Sequence, residues 1–154
     1  MTVYLLALLL GVVAGLRAMT APAAVSWAAY LGWLDLSGTW LAFLGSIWAT
    51  VILTLLALVE LVTDQLPTTP SRTVPVQFGA RVLTGALSGA AVGTAGGSLA
   101  GGLIAGVVGA VVGTLGGRAF RARLASAFGS DRPAAFIEDA VAVGGALLIV
   151  LALR

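Results

Sequence analysis

Four carboxylates near the ends of apolar segments are the residues whose type and spacing could do chemistry. Glu60 and Asp64 lie four residues apart at the end of one such segment, so a helix would place them on one face. Glu138 and Asp139 lie near the start of another. Oxygen ligands suit hard cations such as Na⁺, Mg²⁺ or Ca²⁺, and clustered carboxylates can also carry protons. The pattern predicts an ion- or proton-binding site.

Two arginines lie in equally apolar surroundings. Arg81 is just inside the third apolar segment, and Arg17 is deep in the first. The stretch from Gly15 to Pro22 can break a helix, and the second half would then direct its positive dipole end beside Arg17. Arg17 and Arg81 are therefore candidate counter-charges or anion contacts. Alternatively, Arg17 pairs with an acid or extends to the nearer interface, and all these charges only lock helices together.

The composition indicates where these residues must lie. Of 154 residues, 60% are hydrophobic and 9% are charged, and the mean hydropathy is +1.10. A soluble domain is about 25% charged, so this chain has too few charges to cover a soluble surface. We therefore expect one transmembrane domain over residues 1–154, with the lipid bilayer as a partner and no nucleic acid. The net charge of +2 says little about acidic partners.

Several chemistries are excluded because their residues are missing. The chain has no cysteine or histidine, and all eight basic residues are arginine. Thiol, imidazole and lysine chemistry are therefore absent. We expect no catalytic residues and no cofactor beyond a possible hard cation. A lipid-acting enzyme that uses carboxylates with a metal is a minor alternative.

The apolar segments predict an all-α bundle of about five spans. They cover residues 2–33, 39–62, 78–96, 98–117 and 133–153, and the first is broken between Arg17 and Pro22. The loop 118–132 carries four arginines, so the positive-inside rule places it in the cytoplasm, with the N-terminus on the same side. If the break instead makes a re-entrant hairpin, the count is four spans plus a hairpin and the N-terminus lies outside.

Glycines repeat at intervals of four through the third and fourth spans. The small residues in this register are Gly85, Gly89, Gly93, Gly97, Gly101, Ala105, Gly109, Gly113 and Gly117. Small residues on one face let helices approach closely in lipid. The register predicts glycine-zipper packing of spans three and four, with a turn at Gly96-Gly97-Ser98. A homo-oligomer interface is the alternative.

Three motifs carry a resemblance to a known family. They are Gly15-Leu16-Arg17-Ala18 followed by Pro22, the E-x-x-x-D-x-x-P pattern from Glu60 to Pro67, and Ile137-Glu138-Asp139. With Arg81, this pattern resembles the bacterial membrane family called domain of unknown function 4126 over nearly the whole chain. The resemblance implies a bacterial inner-membrane location and supplies no activity. The positions matching the family pattern are Arg17, Glu60, Asp64, Arg81, Glu138 and Asp139.

Taken together, these features favour an oligomeric transporter or channel that is coupled to ions or protons. Five short spans leave little room for a pathway within one subunit, so we expect a homo-oligomer that handles a small ion or solute. The alternative is a structural or accessory membrane protein whose buried charges are interhelical locks.

Overall fold

The computed structural model describes residues 1–154 as seven helices without a strand. Six are α-helices, and Trp40–Gly45 is a 3₁₀ helix. The α-helices are α1 Thr2–Leu16, α2 Thr20–Tyr30, α3 Ile47–Thr63, α4 Pro75–Ala95, α5 Leu99–Phe128 and α6 Asp131–Leu151. Two of them, α5 and α6, are long and apolar enough to cross a membrane. The expected all-α class is confirmed.

The first two helices form a hairpin whose tip is Arg17–Met19. Along α1, Tyr4 contacts Gly101 and Leu16 contacts Gly117, so α1 runs parallel to α5. The backbone N–H of Met19 is bonded to Glu60, and the Trp27 indole N–H is bonded to Thr54 at 3.0 Å, so α2 runs antiparallel to α3.

The prediction that residues 2–33 form one broken span is therefore wrong, and the hairpin alternative describes the observed arrangement. Arg17 ends α1 in an extended conformation, with φ −140° and ψ 111°. Pro22 has no N–H to donate to Ala18, so α1 cannot continue through it, but the first turn of a new helix accepts proline. The chain consequently turns back at Arg17.

Both chain termini lie at the end of the bundle opposite the hairpin tip. Val3 contacts Gly96 in the turn between α4 and α5. The Arg154 guanidinium lies 5.8 Å from the ring centroid of Trp33, just beyond α2. We call this the far end, and we call the end with Arg17, Glu60 and Asp131 the charged end. The N-terminus and the basic residues 118–132 thus lie at opposite ends of the bundle, whereas the sequence prediction places them on the same side.

Two other boundaries differ from the sequence prediction, and one predicted turn is confirmed. The second segment starts with the 3₁₀ helix, and α3 begins only after Ser46, whose hydroxyl accepts the Ala49 N–H at 3.1 Å. Helix α5 continues to Phe128, so most of the predicted basic loop is helical until Gly129 adopts φ +66°. The predicted turn is present, because α4 ends at Ala95 and Gly97 has φ +84°.

Helix α5 packs closely on both α4 and α1 because the facing residues are small. A methyl group on Gly89 would lie 2.8 Å from the Cα of Gly106, and one on Gly15 would lie 2.7 Å from the carbonyl carbon of Gly113. Glycine is therefore required at these crossings.

The regular four-residue register does not continue from α4 into α5. Gly85, Gly89 and Gly93 face α5, but Gly97 lies in the turn with no atom near it and Gly101 contacts Tyr4. The turn resets the helical phase, so Gly102 and Gly106 face α4 instead. Further along α5, Gly109 and Gly113 contact α1, and Gly117 contacts Leu16, Arg72 and Glu138. Because these contacts are internal, the packed glycines are not free to form an oligomer interface.

Candidate functional site

Glu138 is at the centre of the charged end. It lies in the second turn of α6 and is fully buried. Both its oxygens accept hydrogen bonds from the Arg72 guanidinium, with Nη2 to Oε2 at 2.9 Å and a second, shorter bond from Nη1 to Oε1. Arg121 of α5 reaches Oε2 at 3.5 Å. The carboxylate is thus compensated by a bidentate partner from the α3–α4 loop.

Arg17 lies at the hairpin tip and is fully buried. Its Nε donates to Asp139 Oδ1 at 2.6 Å, and Nη2 lies 2.5 Å from the same oxygen. Its Nη1 is bonded to Asp64 at the end of α3 and lies 3.6 Å from Glu138 Oε2. One guanidinium therefore joins α1, α3 and α6.

Glu60 binds backbone rather than a close cation. Its Oε1 accepts the Ala18 N–H at 2.7 Å and its Oε2 accepts the Met19 N–H at 2.8 Å. These two groups lie at the start of α2, where the backbone N–H groups have no partner within the helix. Arg81 Nη2 is 3.9 Å from both Glu60 Oε1 and Asp64 Oδ2, and its Nε donates to the Gly15 carbonyl at 3.2 Å.

All six site residues predicted from the sequence lie together at the charged end. The structure adds Arg72, Arg121, Asp131 and Gln65. The Gln65 amide donates to Asp139 at 2.7 Å, and Arg121 donates two hydrogen bonds to Asp131, at 2.9 and 2.6 Å. The sequence pattern places Arg72 and Arg121 in loops and so gives them no part in the site. The charge count is the signal that could have found them. The four predicted acids outnumber the two predicted arginines, so further cationic partners are needed.

No group of three or more acidic side chains is placed to hold a metal ion. Glu60, Asp64, Glu138 and Asp139 therefore lie in one cluster but do not form the predicted hard-cation site. The reason is that their oxygens face guanidinium groups and backbone N–H groups rather than one another.

The buried charges do not balance. The guanidinium groups of Arg17, Arg72 and Arg81 face the carboxylates of Glu60, Asp64, Glu138 and Asp139. The Arg121–Asp131 pair adds one charge of each sign. One negative charge is thus in excess, and one bound proton would make the cluster neutral.

Helix α3 has the fewest buried residues of the six α-helices, and the cluster is one of its attachments to the bundle. Thr50 is its only buried residue, and its packing partners are α2 and the 3₁₀ helix. Near the far end, the Thr50 hydroxyl lies 3.0 Å from that of Ser26. At the charged end, Glu60 and Asp64 connect α3 to the hairpin tip. Between these two polar attachments, half-buried residues of α3 pack along α2.

A cleft of about 340 Å³ opens beside the cluster, between the loop 66–71 and α5. Its charged lining residues are Asp64, Arg72, Arg81, Arg118, Arg121 and Asp131. Arg118 is exposed and pairs with no acid. Arginines thus outnumber acids four to two along the cleft wall.

Asp35 is the one acid that lies away from the cluster, in the loop at the far end. Its Oδ1 accepts the backbone N–H of Ser37 at 2.9 Å and the Ser37 hydroxyl at 2.6 Å. These hydrogen bonds to the charged form lower the pKa of Asp35. Asp35 therefore remains ionised and takes no part in the site.

The comparisons with known proteins identify the family of the chain. The profile of the family described as "Domain of unknown function (DUF4126)" matches residues 4–152. The chain therefore belongs to this family, as its motifs suggested. No curated protein and no solved structure matches the chain significantly.

Proposed function

We propose that this member of the DUF4126 family is a small transporter of the bacterial inner membrane that couples the passage of a solute to proton binding at the charged end. In this proposal, α3 to α6 cross the membrane and the α1–α2 hairpin enters from the outer face. The excess of arginine in residues 118–132 supports a cytoplasmic position for the charged end. Both termini are then outside.

The attachment of α3 is the observation that carries the proposal. A helix with one buried residue is held at the charged end by two carboxylates, Glu60 and Asp64. Protonation of either carboxylate would weaken its bonds to the hairpin tip, because a charge-assisted hydrogen bond is about twice as strong as a neutral one. Proton binding would thus free the charged end of α3, and movement of α3 would open the hairpin tip to water.

The surplus carboxylate supports a proton as the coupling ion. The missing metal-binding arrangement disfavours a divalent cation held by the same acids. A monovalent ion such as Na⁺ is the second candidate for the coupling ion.

A homo-oligomer is also part of the proposal. Its interface would use surfaces other than the internal glycines.

Access of water to Thr20 tests the proposal. Thr20 is 7% exposed at the start of α2, and its hydroxyl has no hydrogen-bond partner. Because the chain has no cysteine, a Thr20→Cys variant carries a single thiol. In oriented membrane vesicles, we expect a membrane-impermeant maleimide to label this thiol alternately from the two sides of the membrane, and the labelling should change with pH. Adding Glu60→Gln should mimic protonation of Glu60, so that labelling at neutral pH resembles labelling of Thr20→Cys at low pH.

Two controls accompany this measurement. Ala28→Cys, also buried on α2 but away from the site, should stay unlabelled. Asp35→Asn in the Thr20→Cys background should leave the pH dependence unchanged. No labelling at any pH, with or without Glu60→Gln, would contradict transport.

The interhelical-lock function is the second candidate, because every carboxylate in the cluster has a partner. A lock predicts that Glu60→Gln only lowers the melting temperature, with Thr20→Cys protected throughout. The labelling measurement therefore separates the two functions.

A further inference from the structure

The cleft beside the cluster is polar and rich in guanidinium groups. Four arginines and two acids line it, and only two of its twelve lining residues are hydrophobic. Arg72, Arg81 and Arg121 also pair with acids of the cluster, whereas Arg118 has no acidic partner. Such a cleft is suited to an anion with several oxygens, since arginine donates in a fork that matches such groups. We propose that this cleft binds a phosphate-class oxyanion, present as a free solute or as a lipid headgroup. This inference rests on the proposed function and names the substrate class.

The arginines already hold groups that resemble such an anion. Arg121 donates two hydrogen bonds to the Asp131 carboxylate, and Arg72 donates two to the Glu138 carboxylate. The Asp131 side chain is 63% exposed, so little free energy is lost when a competing oxyanion displaces it into water. Arg118 needs no displacement, because it has no acidic partner.

Binding of an oxyanion here would explain why protons are coupled to it. An anion that takes donors from Arg72 or Arg121 leaves Glu138 with fewer partners in a buried position. Loss of cationic partners makes the buried negative charge of the cluster more unfavourable, so oxyanion binding would favour entry of a proton into the cluster. Each oxyanion would then enter the site together with a proton, and the charge of the cluster would stay nearly constant.

Arg118→Gln tests this assignment in the full-length protein purified in detergent. The probe is sodium phosphate, compared with sodium chloride at the same ionic strength by calorimetry. We expect saturable phosphate binding in the wild type that weakens about tenfold in Arg118→Gln, as loss of one charge-assisted hydrogen bond implies. Arg123→Gln is the matched control, because Arg123 is exposed on the same helix and does not line the cleft. Neither arginine has an ion pair, so both variants should fold.

A second arm distinguishes the two sources of the oxyanion. The wild type and both variants are placed in galactolipid nanodiscs with and without phosphatidic acid, and their melting temperatures are compared. Stabilisation by phosphatidic acid that Arg118→Gln removes, without binding of free phosphate, would assign the cleft to a headgroup. Binding of neither probe, or equal binding by Arg118→Gln and Arg123→Gln, would overturn the proposal. Labelling of Thr20→Cys in phosphate-free buffer tests the transporter function separately, so the two can fail independently.

Discussion

At the scale of single residues, Arg17 determines the geometry of the site. A fully buried guanidinium loses its hydration, and only close partners can offset that cost. The partners come from α3 and α6, which reach Arg17 through Asp64 and Asp139. The ion pairs therefore fix how these helices meet at the hairpin tip more than they stabilise the protein relative to an apolar core.

We expect Arg17→Gln to lower the free energy of unfolding by about 3–5 kcal/mol, because it leaves the partly buried Asp64 and Asp139 without their main cation. The double variant Arg17→Gln with Asp139→Asn should lose less than the sum of the two single losses. Denaturant unfolding in micelles gives these values. Additive losses would show that Arg17 and Asp139 are not coupled in the folded protein.

At the scale of the helices, close approach depends on a few glycines of α5. Gly106 is pressed between α1 and α4, whereas a methyl group on Gly116 of the same helix would meet no atom within 4 Å. Both positions are helical, so an alanine would gain the same backbone propensity, about 0.5–1 kcal/mol. The two sites differ only in the space available.

We expect Gly106→Ala to destabilise the protein by about 1–3 kcal/mol, since overpacking outweighs the helix propensity. The matched variant Gly116→Ala should be neutral or slightly stabilising. Melting temperatures of the two purified variants give the comparison. Equal melting temperatures would mean that α5 can shift away from α1 and α4 at little cost.

The sequence predicts the residues of the site better than it predicts the directions of the first two helices. Glu60, Asp64, Glu138 and Asp139 are predictable because acids in apolar segments are rare and their positions are visible in the sequence. Arg72 is not predictable because it lies in a polar loop, where an arginine usually faces solvent. The sequence predicts one broken span where the structure has a hairpin, because an apolar stretch over residues 2–33 fits one long broken span or two short arms, and hydropathy is the same for both.

At the scale of the whole molecule, six α-helices alternate in direction and both termini lie at the far end. The single-thiol variants Ser37→Cys and Ser130→Cys place probes in exposed loops at the far and charged ends. In intact cells, we expect an impermeant maleimide to label Ser37→Cys and to leave Ser130→Cys unlabelled until the membrane is opened. The parent chain gives no background because it has no cysteine. The reverse pattern would invert the orientation, and labelling of both from outside would contradict the proposed spans.

The partnership between Arg17 and Asp139 also sets the order of biogenesis. The two residues are 122 positions apart, so at a synthesis rate of about 5–20 residues per second the arginine waits about 6–24 s for this second acid, after Asp64 has been made. During that interval Arg17 has Asp64 but not Asp139 as a partner. The charged end therefore takes its final arrangement only after α6 has been synthesised. Chains truncated before Asp139 would lack the ion pair that joins Arg17 to α6, even though every earlier helix had been made.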